Sequence, residues 1–370
     1  MNFDFTPEQD EAAELAARIL KDSATNERMK QVEADGDRFD SDLWTELGSA
    51  GLLGLALPEE YDGAGLGLIE LCRVLVEVGR TVAPVPLATH GAAARLIAEV
   101  GSPEQKQAWL PGAASGERVL TAAVTEDREP LPEHPSTTAE RTVDGWRLNG
   151  AKTFVPAGTR ADLFLVTAAT PAGTGVFLVE PGADGVEVLP QRTSDGDLAA
   201  RVELREVGVS DTAALGDPEE CAAKGLDHLL VLTACAEQLG VTEGALALTS
   251  SYAREREQFG RPIGSFQAVS QRLADGYIDV LGQGLTLWQA AWRLGEGLPA
   301  EAELATAKLW AADAGHRLAH TTVHVHGGVG IDLDGEAHRF FTTAKRFEFA
   351  YGGTTEQALR IGRALAAEPA

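Results

Sequence analysis

The chain has 370 residues, 44% hydrophobic and 24% charged, a composition normal for a soluble globular protein of two or three domains. Its 31 Lys and Arg face 56 Asp and Glu; the net charge of −25 argues against general binding to nucleic acid or an anionic membrane, but leaves room for a local basic pocket. Three cysteines, Cys72, Cys221 and Cys235, are odd in number and far apart in sequence, which excludes a disulfide framework and a zinc site and suits a reducing, cytoplasmic setting.

The opening stretch, MNFDFTPEQDEAAELAARIL, is acidic and amphipathic, unlike a signal peptide, and no apolar run approaches the ~20 residues of a membrane span. Residues 1 to 118 read as helices. Thr6-Pro7-Glu8-Gln9 is a capping box with Pro at the first helical position, and Phe5 stands in the staple position before it. Ser102-Pro103-Glu104-Gln105 is a second start of the same kind. Residues 119 to 212 change character: VLTAAVT, GWRLNG, DLFLVTAAT, GVFLVEP, GVEVLPQ and ARVELREV are short and β-like, with Asp144-Gly145 as a hairpin signal. The polar, Pro-rich EDREPLPEHPSTT reads as a surface loop. Residues 213 to 370 return to long helices whose apolar positions recur at three and four, lengths that suit a four-helix bundle.

Three segments carry candidate chemistry. In REREQFGRPIGSFQ, Arg254, Arg256 and Arg261 surround a Gly/Pro turn beside Phe259; forked guanidinium donors make it either a pyrophosphate grip or a solvated loop salt-bridged to neighbouring acids. In HRLAHTTVHVHGG, His316, His320 and His324 share one helical face, as an interface or, without an acid or cysteine on that stripe, a poor metal site; Gly327-Gly328 ends the helix and permits close backbone approach. In YGGTTEQ, Thr354 and Gln357 read as a cap and its capping-box partner, placing a helix N-terminus behind two glycines, suited to an anionic or electron-rich ligand.

Together these segments resemble the C-terminal pattern of acyl-CoA dehydrogenases: RxxFG then FQ, a GG motif about sixty residues on, and Y-x-GT before the last helix. VTE and NGAKTFV fall where that family has its β-domain motifs, and the resemblance covers nearly the whole chain. It implies an α+β fold of an N-terminal helical domain (1–118), a middle β-barrel (119–212) and a C-terminal four-helix bundle (213–370), with FAD shared between two subunits. It implies α,β-desaturation of an acyl-CoA, with electron-transferring flavoprotein as the family's usual acceptor. The contacts to a neighbour's FAD fall on Arg256, Phe259, Gln267, His324, Gly327 and Gly328, with His324 where a Gln is common.

The contacts implied for a flavin ring in the same subunit depart from the family. Asp127 follows Val124-Thr125-Glu126 where a Pro is usual, Phe154 replaces the stacking Trp, and Pro156 replaces a hydrogen-bonding Thr. The base position before GT is Gly352, and a second known base location falls near Leu230. The chain therefore resembles the non-catalytic β-subunit of actinobacterial α2β2 enzymes that desaturate steroid side-chain CoA thioesters, completing the FAD site of a catalytic acyl-CoA dehydrogenase partner. The alternatives are a complete dehydrogenase with a relocated base (Glu237, or less readily Glu348 on a solvated face or Glu356) and a flavin-free scaffold.

Overall fold

The structure, a computed structural model, describes residues 4–34, 36, 38–216 and 222–367; Cys221 lies outside them. Helices come first: α1 (Pro7–Ser23), α2 (Asn26–Ala34), α3 (Ser41–Ser49), α4 (Leu68–Arg80), α5 (Leu87–Val100) and α6 (Pro103–Ser115). Strands follow: β1 (Leu120–Ala123), β2 (Thr138–Thr142), β3 (Gly145–Val155), β4 (Leu163–Thr170), β5 (Gly173–Val179), β6 (Val186–Arg192) and β7 (Leu198–Val209). Then come α7 (Ala222–Glu255), the two-residue strands β8 (Glu257–Gln258) and β9 (Arg261–Pro262), α8 (Gln267–Gly295), α9 (Glu301–His326), α10 (Ala337–Phe349) and α11 (Thr354–Ala367).

Local chemistry sets the helix starts. Both reciprocal capping boxes form, Thr6 with Gln9 and Ser102 with Gln105, each with Pro in the first turn. Phe5 is not a staple within its own helix: its ring meets Trp288 edge-on at 5.0 Å and carries the Arg73 guanidinium 4.2 Å above it. α7 is one helix of 34 residues; by length and composition (mean hydropathy 1.3) it is apolar enough to cross a membrane, contrary to the expectation that no run comes close. Of that apolar window, 89% is buried inside the fold, which is where the hydrophobicity goes.

The chain folds as two compact units. One comprises residues 1–34, 68–83 and 234–370. Within it α8, α10 and α11 pack around α9. Gln238 on α7 is fully buried and donates its amide to the carbonyls of Ala311 and Ala344, 3.2 Å each. Gly315 leaves room for that amide: an added Cβ would stand 1.7 Å from Gln238 Nε2. Where α4 crosses α7 the two backbones touch, since a Cβ at Gly79 would lie 1.9 Å from the Glu237 carbonyl oxygen and one at Gly240 1.9 Å from that of Val76. Cys72 and Cys235 lie in this unit, both buried and unbonded, with burial pushing the Cys235 thiol up to about 12.

The other unit comprises residues 35–67 and 84–233. Its sheet runs β1-β4-β2-β3-β7-β6, with β5 also on β4. β1 pairs parallel with β4, and β3 with β7 antiparallel through two register shifts. The core face carries Trp146, Leu148, Phe164, Val166, Phe177, Val202 and Leu204. The Asp144-Gly145 signal is correct: Thr142 pairs with Gly145 across a two-residue loop. β2 itself was not anticipated, because only Ala139 of TAERT is buried.

EDREPLPEHPSTT is not simply a surface loop. Glu126 at its start is 5% exposed and ties it down, accepting from the backbone and hydroxyls of Ser136 (2.6 and 2.5 Å) and Thr137 (2.9 and 2.7 Å) and from Lys152 Nζ (2.8 Å). Burial pushes the Glu126 carboxyl up, but these donors, Lys152 foremost, outweigh it and hold it at about 2. The VTE and NGAKTFV motifs thus meet in a buried ion pair.

Candidate functional site

At the end of α7 the chain turns back through a miniature hairpin in which Glu257 pairs with Pro262 and Gln258 with Arg261. Its tip is Phe259-Gly260, with φ of 53° and 75°. Both tip residues in the left-handed region match a two-residue hairpin, but an aromatic rather than Asn or Asp in the first place is strained. Phe259 is also 93% exposed. Arg254, Arg256 and Arg261 are exposed and, among the described residues, are ion-paired to no carboxylate; Arg261 lies 4.3 Å over the Phe266 ring. In a chain of net charge −25, three uncompensated guanidinium groups on one turn favour the anion grip over a salt-bridged loop. Gln267 opens α8, exposed, behind Phe266, which offers no side-chain cap.

The end of α9 joins this turn. The Tyr252 ring stacks on His326 at 4.3 Å and 21°, and the hydroxyls of Thr249 and Thr322 are bonded at 3.1 Å. His324, Gly327 and Gly328 are exposed, and an added Cβ at either glycine would meet nothing within 4 Å. Gly327 has φ 66° and ψ −139°, a conformation open in practice only to glycine. The two expected motif segments therefore share one end of their unit, with bare backbone and uncovered cations facing outward.

The histidine stripe divides. His316 Nδ1 lies 3.1 Å from both Glu348 Oε1 and Lys345 Nζ, and the His320 ring packs on His316 and edge-on against Phe341. The acid missing from the stripe is thus supplied by α10. It also places Glu348 away from the solvated face expected for it: its side chain is 13% exposed and paired to Lys345 at 2.5 Å. Among the described residues no group of three His, Cys, Asp or Glu converges as a metal site.

The corner between α10 and α11 lies elsewhere on α9. Lys308, 1% exposed, donates to the carbonyls of Phe347 and Glu348 at 2.9 and 3.3 Å, and burial pushes its ammonium down to about 8. His324 is sixteen residues further along the same helix, roughly 24 Å at 1.5 Å per residue. At this corner Tyr351 and Gly352 have φ of 58° and 99°. α11 begins at Thr354 itself, and Gln357 donates to the carbonyls of Tyr351 (3.0 Å) and Gly352 (3.3 Å), so its amide braces the turn instead of completing the expected box. Glu356 folds back over Gly352: an added Cβ there would lie 2.7 Å from Glu356 Oε2. Glu356 Oε1 accepts from Arg360 at 3.2 Å. Glu237, the other relocated-base candidate, is 4% exposed and 3.5 Å from Arg346.

In the sheet unit Phe154 is 53% exposed at φ 48°. Gln191 on β6 holds it, accepting from the Phe154 N–H at 2.7 Å while bonding the Thr153 hydroxyl. Pro156 offers only its carbonyl, which accepts from Thr121 at 2.6 Å.

Family models for the acyl-CoA dehydrogenase N-terminal, middle and C-terminal domains match residues 6–117, 122–207 and 224–366. The chain belongs to the acyl-CoA dehydrogenase family. Its fold is that family's, with helical, β and helical domains in sequence, and implies FAD. The chain is 45% identical to acyl-CoA dehydrogenase FadE27 of Mycobacterium tuberculosis across 100% of both chains. It is 33% identical to FadE28 of the same organism across 98% of each. Among solved structures, the ChsE4-ChsE5 complex from Mycobacterium tuberculosis includes a chain with TM-score 0.95, 46% identity and full coverage of both. A variant of the Tcur3481-Tcur3483 steroid acyl-CoA dehydrogenase gives 0.93, 42% identity and coverage of 97% and 98%.

The exposed residues at the end of α9 have the chemistry to hold part of an FAD. Arg256, Phe259, Gln267, His324, Gly327 and Gly328 offer charge, an aromatic face, an amide and open backbone to an incoming dinucleotide. Gly352 itself offers no proton acceptor, and both Gln357 and Glu356 close over it, each with an atom 2.7 Å from where its Cβ would stand. Sequence reasoning missed the return of Glu356 and the bracing role of Gln357; a Glu four residues after a glycine that begins a left-handed turn was the available signal.

Proposed function

We propose that this acyl-CoA dehydrogenase chain is the non-catalytic subunit of a heteromeric, FAD-dependent enzyme acting on a steroid side-chain CoA thioester. One observation carries the reading: the cationic, uncovered set and the corner at Gly352, whose Glu356 carboxylate is engaged by Arg360, sit about 24 Å apart along α9. The chain is equipped to hold a neighbour's FAD and not to run the reaction at its own ring position. Solved relatives that are named as complexes, one of them as a steroid enzyme, support it. In this reading the sheet is the family's β-barrel and α7 to α10 its four-helix bundle. The complex is α2β2 and cytoplasmic, and electron-transferring flavoprotein is the acceptor.

When bound, FAD would supply a hydride acceptor for the substrate's β-hydrogen, the α-proton going to a carboxylate of the catalytic subunit. This chain's residues bind and orient. Arg256 would neutralise pyrophosphate oxygens, Phe259 would supply a stacking face, Gln267 and His324 would give hydrogen bonds, and Gly327-Gly328 would admit the ligand against bare backbone. A positioned base contributes about a hundred- to ten-thousandfold, so the absence of one at Gly352 accounts for the need for a partner.

A relocated base is the second reading. Glu237 is weakened as a candidate by Arg346 at 3.5 Å. Glu356 is favoured by its place over Gly352, although Arg360 engages it. A flavin-free scaffold would have no use for the uncovered far-end set. The test is turnover of a steroid-CoA by the chain alone and with a catalytic partner: colourless and inactive alone, yellow and active together. An active homomer contradicts the reading.

A further inference from the structure

We propose that the cleft behind the β8–β9 hairpin is a second ligand site, built for a small amphipathic carboxylic acid. The inference does not depend on which subunit runs the reaction, and it gives a use to Arg254, which the proposed FAD contacts leave over.

The last turns of α7 present two faces. Thr249 and Tyr252 look to α9, one bonded to Thr322 and the other stacked on His326. The Arg256 N–H reaches back to the Tyr252 carbonyl at 2.8 Å, which carries Arg256 round to that same side. Ser250, Ala253 and Arg254, at i, i+3 and i+4, share a different face. That face is one wall of a cleft of about 410 Å³, open to solvent. Pro262 of β9 and Ser265 of the turn after it form a second wall, and Ser270 and Leu273 of α8 a third. The volume lies within the ~300–1,000 Å³ usual for small-molecule pockets. Neither Arg256, Phe259 and Gln267 nor the residues at the end of α9 line it. The cleft thus shares the hairpin with the proposed FAD contacts but none of their residues.

The lining selects the chemistry of the ligand. Ala253, 1% exposed, and the half-buried Leu273 face Pro262 as apolar walls for an apolar body. Arg254 is the one charged group of the lining, exposed and, among the described residues, paired to no carboxylate. A single guanidinium matches a single carboxylate through two parallel N–H bonds, whereas the second charge of a phosphate would find no other cation here. The Ser250 hydroxyl is also without a partner among the described residues and is free to donate. Ser265 and Ser270 instead donate inward, to the carbonyls of Pro262 and Gln267 at 2.7 and 3.2 Å. Their oxygens can only accept, which turns an anion away from them and toward Arg254. A cation in the last turn of a helix is favourable in itself, but that role does not call for an apolar cleft beside it.

The test uses the assembled protein and octanoate, with octanol and octylamine as probes of equal length and different charge. Calorimetry gives the affinities, and ¹³C-methyl NMR of the leucines places the bound molecule at Leu273. The expected result is saturable binding of octanoate that shifts the Leu273 methyls, with octanol and octylamine at least about tenfold weaker, the loss that follows from removing a charge-assisted hydrogen bond. R254Q is expected to weaken octanoate by about the same factor, and R254K, which keeps the charge without the fork, to retain part of the binding. Absence of saturable octanoate binding overturns the inference. So does binding that leaves Leu273 unshifted, that R254Q does not weaken, or that octylamine equals. R254Q weakening FAD while octanoate binds as before would assign Arg254 to the dinucleotide and overturn it as well.

Discussion

Arg256 and Phe259 stand out by what they lack. An arginine in a strongly acidic protein normally finds a carboxylate, and a phenylalanine normally finds a core; here one is unpaired among the described residues and the other is 93% exposed on a strained backbone. In the proposed reading their partner is the FAD of a neighbouring chain. A charge-assisted hydrogen bond is worth about 1.5–3 kcal/mol, so R256Q is expected to raise the Kd for FAD in the assembled complex roughly ten- to a hundredfold, measured by flavin titration, with the thermal midpoint of the flavin-free complex unchanged. Glu126 and Lys152 are the reverse case, residues whose motif invites a ligand role but whose bonds are all internal. The Glu126 carboxyl, ordinarily near 4.5, is held at about 2. Between those values the unfolded chain takes a proton that the folded chain refuses. Its contribution, about 3 kcal/mol, is therefore complete above pH 4.5 and lost as the pH falls toward 2. Removing the lysine, as in K152M, leaves a buried charge short of a partner; a cost of about 3 kcal/mol in urea unfolding and acid unfolding at a higher pH are expected. The two exposed segments that meet at the end of α9 were easy to single out because each motif is contiguous in sequence. The Glu237–Arg346 pair was not: its members are 109 residues apart and meet only through tertiary packing.

The helices were the most readable elements, and the reasons are local. Capping boxes mark α1 and α6, and a long, predominantly apolar stretch without proline marks α7 despite its glycines. A glycine inside a helix ordinarily only weakens it. Gly240 is instead one half of a backbone contact with α4, matched by Gly79, where Cβ atoms would come within 1.9 Å of opposing carbonyl oxygens. G79A is expected to destabilise the fold by about 3 kcal/mol or to prevent assembly, because only a backbone shift relieves the overlap; denaturant unfolding measures it. Short elements were hidden for the opposite reason. β2 buries one side chain, and the β8–β9 hairpin has two residues per strand, so neither carries a periodic signal.

At the scale of the whole molecule, the account joins an acidic chain with one uncompensated basic turn to a family whose solved relatives include named complexes. α9 serves as the ruler: bare glycines and free cations near its end, a closed corner near its start. Domain order was visible from the switch between helical and strand-like patterning, whereas the grouping of residues 68–83 with 234–370 depends on packing that no local pattern encodes. The central claim is that the chain completes a flavin site whose reactive ring belongs to a partner. Flavin released by denaturation from the purified heteromeric complex, counted against both chains, tests it most directly. One flavin per heterodimer, with a colourless isolated chain, is the expected result. Two per heterodimer, or a flavin-saturated and active complex of this chain alone, would contradict it.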